Sequence, residues 1–367
     1  MSKEILAGLQ EVLAGFDFRG IPTDAEKWGS GHINDTYRLT VCQGGATVHY
    51  ILQRINTGIF RKPDELMENI RRVTEHIGRA AEKMDDPMAA SRCTLTLLPT
   101  REGGTLFKDA AGGHWRCYLF IEGAHTVDAV TSPEQAYQAA RAFGAFQRAL
   151  ADLPGAPLHE TIPGFHDTPT RFQHFLKALK ADKMGRATLC KKEIDFVLAH
   201  ERECATVTER LASGALPARV THNDTKINNV MLDDKSGEGI CVIDLDTVMP
   251  GSVLYDFGDE VRTTTMTAAE DERDLSLVQF EMRLFKPLLE GYLSSAGDFL
   301  TAEERRLLPF SGRLLTFECG MRFLSDFLEG DVYFKVHRDG HNLDRCRTQF
   351  TLVAQMERQA DDLQKLV

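Results

Sequence analysis

The stretch from Arg219 to Asp246 constrains this chain more than any other. It reads Arg219-Val220-Thr221-His222-Asn223-Asp224-Thr225-Lys226-Ile227-Asn228-Asn229-Val230-Met231-Leu232, then a polar Asp/Ser/Gly segment, then Ile240-Cys241-Val242-Ile243-Asp244-Leu245-Asp246. Two short apolar runs around a turn-forming segment predict a β-hairpin. A strand before it leads into a polar loop carrying His222, Asp224 and Asn229. The returning strand ends on Asp244. Local chain geometry alone therefore brings Asp224, Asn229 and Asp244 to one end of a small hairpin.

Those side-chain types in that order suit phosphoryl transfer. One carboxylate (Asp224) orients an acceptor hydroxyl and takes its proton. An amide oxygen (Asn229) and a second carboxylate (Asp244) are hard oxygen donors for Mg²⁺ beside nucleotide phosphates. His222 braces the loop. Asp246 is read two ways, as a second metal ligand or as a strand-end cap. Asp256-Phe257-Gly258 spells the metal-binding triplet of protein kinases but follows no returning strand. Asp256 is expected to cap a helix and to hydrogen-bond the catalytic loop from below.

The nucleotide end is written less clearly. Trp28-Gly29-Ser30-Gly31-His32-Ile33-Asn34-Asp35-Thr36-Tyr37 precedes a predicted strand pair, 37–41 and 48–53, around Gln43-Gly44-Gly45. Gly29 and Gly31 would let loop amides approach phosphates. The loop is neither a phosphate-binding G-x-x-x-x-G-K-[ST] nor a complete G-x-G-x-x-G, which disfavours P-loop and Rossmann folds. The second strand should carry a lysine for the phosphates. Gln53 stands in that position, Arg54 falls on the opposite face, and Glu68 is left without its lysine partner. The strand predicted over 115–121 ends at Phe120, Ile121 and Glu122, whose backbone is expected to meet adenine.

Lys and Arg number 43 against 54 Asp and Glu, a net charge of −11. Such a balance opposes a broad nucleic-acid surface, and no apolar run is long enough for a membrane span. No signal peptide is visible, and the eight cysteines have no paired spacing. Both features lead us to expect a cytoplasmic protein with buried thiols. Ile5, Leu6, Leu9, Val12 and Leu13 share a helical face, as do Leu66, Met67, Ile70, Val73 and Ile77. A strand is predicted over 94–98. A capped helix starts at Ser132-Pro133 and runs to about Leu153. Further helices are predicted over 169–182, 191–213, 275–296 and 302–329. The expected class is α+β: a β-rich N-terminal lobe over 1–122 and a mainly helical lobe over 123–367.

Together these segments resemble the aminoglycoside phosphotransferase and choline kinase superfamily and, within it, the N-acetylhexosamine 1-kinase branch. The matching residues include Gly31-His32-Ile33-Asn34-Asp35-Thr36-Tyr37, Tyr50-Ile51-Leu52-Gln53, Phe165-His166-Asp167-Thr168-Pro169, the 219–226 loop, Ile243 to Gly251, Phe257-Gly258-Asp259, and Glu318-Cys319-Gly320-Met321-Arg322-Phe323. Gln53 in the lysine position also resembles that branch. The resemblance implies a two-lobed kinase-like fold, ATP and Mg²⁺ as cofactors, and phosphorylation of the anomeric hydroxyl of GlcNAc or GalNAc in a cleft between lobes. It implies Asp224 as base, Asn229 and Asp244 as metal ligands, and His32, Arg322 and Tyr333 at the sugar. Bottom-up, Arg322 is equally well a salt-bridge partner of Glu318 or Asp326, and Tyr333 is equally well a packing residue. Rival readings are a kinase of the same fold with another acceptor (a different hexose, an amino alcohol, an aminoglycoside) and a non-catalytic sugar- or nucleotide-binding protein.

Overall fold

The computed structural model describes residues 2–29 and 33–367, so Gly31 and His32 of the glycine loop lie outside the described residues. The strands among them are β1 (Ile21–Lys27), β2 (Asp35–Gln43), β3 (Ala46–Ile55), β4 (Phe107–Lys108), β5 (His114–Leu119), β6 (Ala124–His125), β7 (Arg219–Thr221), β8 (Val230–Asp233), β9 (Gly239–Val242) and β10 (Met249–Gly251). The fold is α+β, and the chain divides into two units. One comprises residues 1–125, 152–163 and 231–249; the other comprises 126–151, 164–230 and 250–367.

The first unit is built on a five-stranded antiparallel sheet in the order β1-β2-β3-β5-β4. Period-2 alternation decides its faces. Leu39 and Val41 of β2, Tyr50 and Leu52 of β3, and Trp115 and Cys117 of β5 are buried on one face. They form a core with Leu9, Val12, Leu13 and Phe16 from the N-terminal helices α1 (Ser2–Gly8) and α2 (Gln10–Gly15). Gln53 and Arg116 point to the other face. Helix α3 (Pro63–Ala81) follows, with Pro63 in its first turn, Asp64 and Glu65 favourably placed at its positive end, and all five predicted apolar residues buried. A short α4 (Pro87–Arg92) comes next, and β6, β8 and β9 form a separate three-stranded sheet. The segment 94–98 is not a strand. It bonds to β5 only through the Leu98 amide on the Cys117 carbonyl and the Leu119 amide on the Thr96 carbonyl, and Pro99 has no N–H with which to extend the ladder.

The second unit is helical: α5 (Pro133–Ala149), α6 (Thr168–Ala181), α7 (Lys191–Ala199), α8 (Glu201–Cys204), α9 (Thr206–Ser213), α10 (Val253–Thr264), α11 (Met282–Ala296), α12 (Ala302–Glu329), α13 (His341–Arg358) and α14 (Ala360–Gln364), with β7 paired to β10. Ser132 caps α5 by accepting the Gln135 amide, and the helix ends four residues before Leu153. The single helix expected over 191–213 is three. The His200 imidazole bonds the Phe196 carbonyl at 2.7 Å, the acceptor that helix continuation requires. Residues 275–281 are not helical either. The Gln355 side chain holds the Val278 carbonyl and the Phe280 amide, and Phe280 bridges Met266. Helix α13 has no counterpart in the sequence reading, because its buried face mixes Leu343, Phe350 and Val353 with Asn342, Thr348 and Gln349. No described helix is long and apolar enough to cross a membrane. All eight cysteines are free thiols, five of them buried.

Candidate functional site

In the helical unit the 222–229 loop hangs from a buried carboxylate. Asp256 on α10 is fully buried and accepts the His222 amide on Oδ2 at 2.9 Å and the Asn223 amide on Oδ1 at 2.7 Å. Gln147 donates to the same carboxylate at 2.6 Å and accepts from the Tyr292 hydroxyl at 2.5 Å. Burial pushes the Asp256 carboxyl above its usual range, against the opposing pull of His222 and the loop amides. Asp256 does not cap its helix; the Ser252 hydroxyl does, accepting the Leu254 amide. Phe257 is core, and Gly258 lies where a Cβ would meet the Ser311 carbonyl at 2.5 Å. The kinase-like triplet is thus a loop anchor, a core ring and a helix-crossing glycine.

The loop turns sharply at Asn223, whose φ is +66°, a left-handed value that Asn tolerates better than most residues. Gly251 backs this turn; a Cβ there would meet Thr221 Oγ1 at 2.4 Å. Thr225 is pinned by its amide on Asp259 at 3.0 Å and its hydroxyl on the Asp256 carbonyl at 2.6 Å. His166 bridges the Asn223 carbonyl and Glu318 of α12, both at 3.0 Å, and Thr168 donates to the same Glu318. Burial opposes charge on His166, yet Glu318 prevails and raises its pKa. Asp167 caps α6 through the Thr170 amide.

Asp224 emerges from this scaffold with its side chain partly exposed. Its Oδ2 is 3.0 Å from Lys226 Nζ, and its carbonyl accepts the Asn229 side-chain amide at 2.8 Å. Burial lowers the Lys226 pKa, but the Asp224 charge outweighs it and the ammonium is stabilised overall. His222 is fully buried, with its Nδ1 on the Asp224 amide at 3.3 Å and its ring edge-on to Phe143 and Phe146. These contacts brace the loop. Arg322 on α12 has no ion pair among the described residues; it faces the rings of Tyr333 and Phe334, 5.9 and 5.5 Å from their centroids. The partners that helix spacing offered it are engaged. Glu318 holds His166 and Thr168, and Asp326 accepts the amides of Val332, Tyr333 and Phe334. The Tyr333 side chain is exposed.

In the β-rich unit, Gln53 is paired across the ladder with Thr36 on one side and Arg116 on the other. Its amide donates to the Thr36 hydroxyl at 3.1 Å and accepts from Arg116 Nε at 2.9 Å. Arg116, 1% exposed, forms an ion pair with Asp246 through Nη1. Asp246 also accepts from Asn34 at 2.7 Å. Each of its carboxylate oxygens therefore accepts from a protein donor, Oδ1 from Arg116 and Oδ2 from Asn34. Asp244 follows β9 in the left-handed region, φ +58°. Glu68 pairs with His159 at 3.0 Å. Gly29 has φ +78°, and a Cβ there would meet nothing within 4 Å among the described residues. Phe120 to Glu122 lie past the end of β5. The Phe120 amide bonds the His49 carbonyl, Ile121 is buried, and Glu122 pairs with His49 at 2.6 Å.

Sequence reasoning missed Arg116, and with it the His166–Glu318 bridge and the Asp259 anchor. The available signal for Arg116 was a charge inside the buried run Trp115-Arg116-Cys117-Tyr118.

The fold is shared with small-molecule kinases. The microcompartment-associated aminopropanol kinase aligns over 98% of both chains at 16% identity with a TM-score of 0.57. Spectinomycin phosphotransferase, solved with ADP and spectinomycin, aligns over 98% of both at 11% and 0.56. Choline kinase from Cryptosporidium parvum aligns over 100% of this chain and 98% of its own at 15% and 0.52. The profile of the phosphotransferase enzyme family matches residues 24–292, a span that includes the 219–246 motif and the Gln53 and Arg116 strands. The chain therefore belongs to the phosphotransferase enzyme family.

Proposed function

We propose that this phosphotransferase uses ATP to phosphorylate the anomeric hydroxyl of an N-acetylhexosamine, GlcNAc or GalNAc. The observation that carries the acceptor class is the guanidinium of Arg322, which has no ion pair among the described residues and faces Tyr333 and Phe334. Arg171 lies close enough that its own pKa is lowered, by burial first and then by the Arg322 charge. Two neighbouring guanidiniums repel a cationic acceptor such as an amino alcohol or an aminoglycoside. They suit a neutral acceptor rich in hydroxyl and carbonyl oxygens. Arg322 and Tyr333, with His32, are the residues assigned to the sugar.

Asp224 is assigned the role of orienting the acceptor hydroxyl and receiving its proton, with Lys226 as counter-charge. An anomeric hydroxyl is more acidic than an ordinary alcohol, so the base has modest work. Asn229 and Asp244 are the residues assigned to Mg²⁺. With its nitrogen on the Asp224 carbonyl, Asn229 keeps an amide oxygen for a hard cation, and Asp244 adds a carboxylate. A Mg²⁺ held by these residues would supply positive charge to the nucleotide phosphates. The chain's own contribution is positioning: the Asp256 and His166 anchors fix the loop before substrate arrives. Gly29, Gly31 and the Phe120–Glu122 backbone are assigned to the nucleotide.

The test is turnover of Mg·ATP against GlcNAc, GalNAc, glucose, choline, ethanolamine and kanamycin, with the product examined by phosphorus NMR. The expected result is an anomeric phosphate from the N-acetylhexosamines. Turnover of the amines alone, or a 6-phosphate, would replace the sugar reading with another acceptor of the same fold.

A further inference from the structure

Gln53 stands where phosphate-binding lysines of kinase-like sheets stand, yet the row it belongs to is not without a cation. We propose that Arg116 carries the positive charge that meets the nucleotide's phosphates in this chain, and that Gln53 positions it. The inference rests on the reading of the chain as a nucleotide-dependent phosphotransferase.

Three observations carry it. The first is register. Gln53 of β3 and Arg116 of β5 are direct partners in the antiparallel ladder, and their side chains share a face with Cβ atoms about 4.5–5.5 Å apart. The charge has moved one strand sideways without leaving the row. The second is the use of Gln53. Its oxygen accepts from Arg116 Nε and its nitrogen donates to Thr36, so both ends of the amide are engaged in holding the guanidinium. The third is exclusion. A lysine at position 53 would set an ammonium directly opposite a buried guanidinium, and like charges so placed are destabilising. A cation on β5 accounts for a neutral residue on β3.

The environment keeps this cation charged. Asp246 pairs with it directly, the Asp244 charge acts in the same sense, and the Tyr118 ring lies 5.4 Å from the guanidinium carbon. A guanidinium has five N–H donors in a planar fork. Nε and Nη1 serve Gln53 and Asp246, which fixes the plane and leaves further N–H groups for phosphate oxygens.

The experiment compares ADP with adenosine, which lacks the phosphates, by calorimetric titration in the presence of Mg²⁺. It uses the full chain and its Arg116→Gln, Arg116→Lys and Gln53→Lys/Arg116→Gln variants, with thermal melts as the check on folding. Arg116→Gln should weaken ADP about 10- to 100-fold and leave adenosine unchanged. Arg116→Lys should lose less, and Gln53→Lys should restore ADP binding to the Arg116→Gln chain by returning the charge to β3. If Arg116→Gln does not fold because Asp246 is orphaned, Arg116→Gln/Asp246→Asn removes both charges, and the same ADP-specific loss is expected. Equal changes in ADP and adenosine affinity, or no change in either, would overturn the role of Arg116 while leaving the phosphotransferase reading intact. A wild-type chain that binds neither ligand would overturn both.

Discussion

The 222–229 loop of the helical unit and the Thr36–Gln53–Arg116 row of the β-rich unit both carry polar groups, but they are held by different means. The loop is a continuous stretch whose backbone is fastened by carboxylates from α10. Asp256 takes two of its amides and Asp259 a third. The row is assembled side chain to side chain from three strands, each residue far from the next in sequence. Backbone anchoring tolerates little change, because every lost acceptor strands a buried N–H group. A side-chain row is held pair by pair, here with the Gln53 amide between Thr36 and Arg116.

That contrast can be broken by substitution. The largest effect is expected at the exposed tip of the loop. Asp224→Asn should lower kcat by about 10²–10⁴-fold while the thermal melt stays near wild type; near-normal turnover would remove Asp224 from the chemistry. Next is the anchor. Asp256→Ala leaves two buried amides unpaired and should cost about 2–6 kcal/mol by urea unfolding, with kcat falling more than KM rises. A small loss would mean that the loop is held by His166 and Thr225 instead, and the contrast with the row would fade.

The smallest expected effect sharpens the comparison through pH. Glu260, one turn beyond Asp256, is buried, and neither carboxylate oxygen has a hydrogen-bond partner among the described residues. Burial first, then Asp256 and Asp259, push its pKa well above the usual range. Between its ordinary and raised values the folded chain holds a proton that the unfolded chain has lost, so stability falls as pH rises. His166, also raised, acts in the same direction: its contribution is complete below the ordinary histidine pKa and is lost as pH climbs through the raised one. Glu260→Gln should therefore gain stability relative to wild type as pH is taken from 5 to 8, read from denaturant midpoints. Arg116 remains charged over that range, so Arg116→Lys should leave the slope untouched. A slope unaffected by Glu260→Gln would show that the penalty lies elsewhere.

The loop was legible because its logic is local. His222, Asp224, Asn229, hairpin and Asp244 are consecutive enough for strand and turn chemistry to order them. Asp256 was placed correctly against the loop but wrongly as a cap, since Ser252 supplies the hydroxyl that the helix start needs. Where partners lay far along the chain, local reading failed. The His200 ring ends a helix by taking the Phe196 carbonyl, Gln355 keeps 275–281 from becoming helical, and Arg322 has no ion pair among the described residues because Glu318 and Asp326 hydrogen-bond other groups.

The sequence by itself determined the α+β class, the long strand pair, the main amphipathic helices and the hairpin of the central motif, because period and turn chemistry act over a few residues. Only the tertiary structure decided that Arg116 stands opposite Gln53, that Asp246 is bound by Arg116 and Asn34, and that His166 joins α12 to the loop. Ladder register and helix packing bring together residues that no spacing in the chain relates, and the charge balance of a buried group is set by those neighbours.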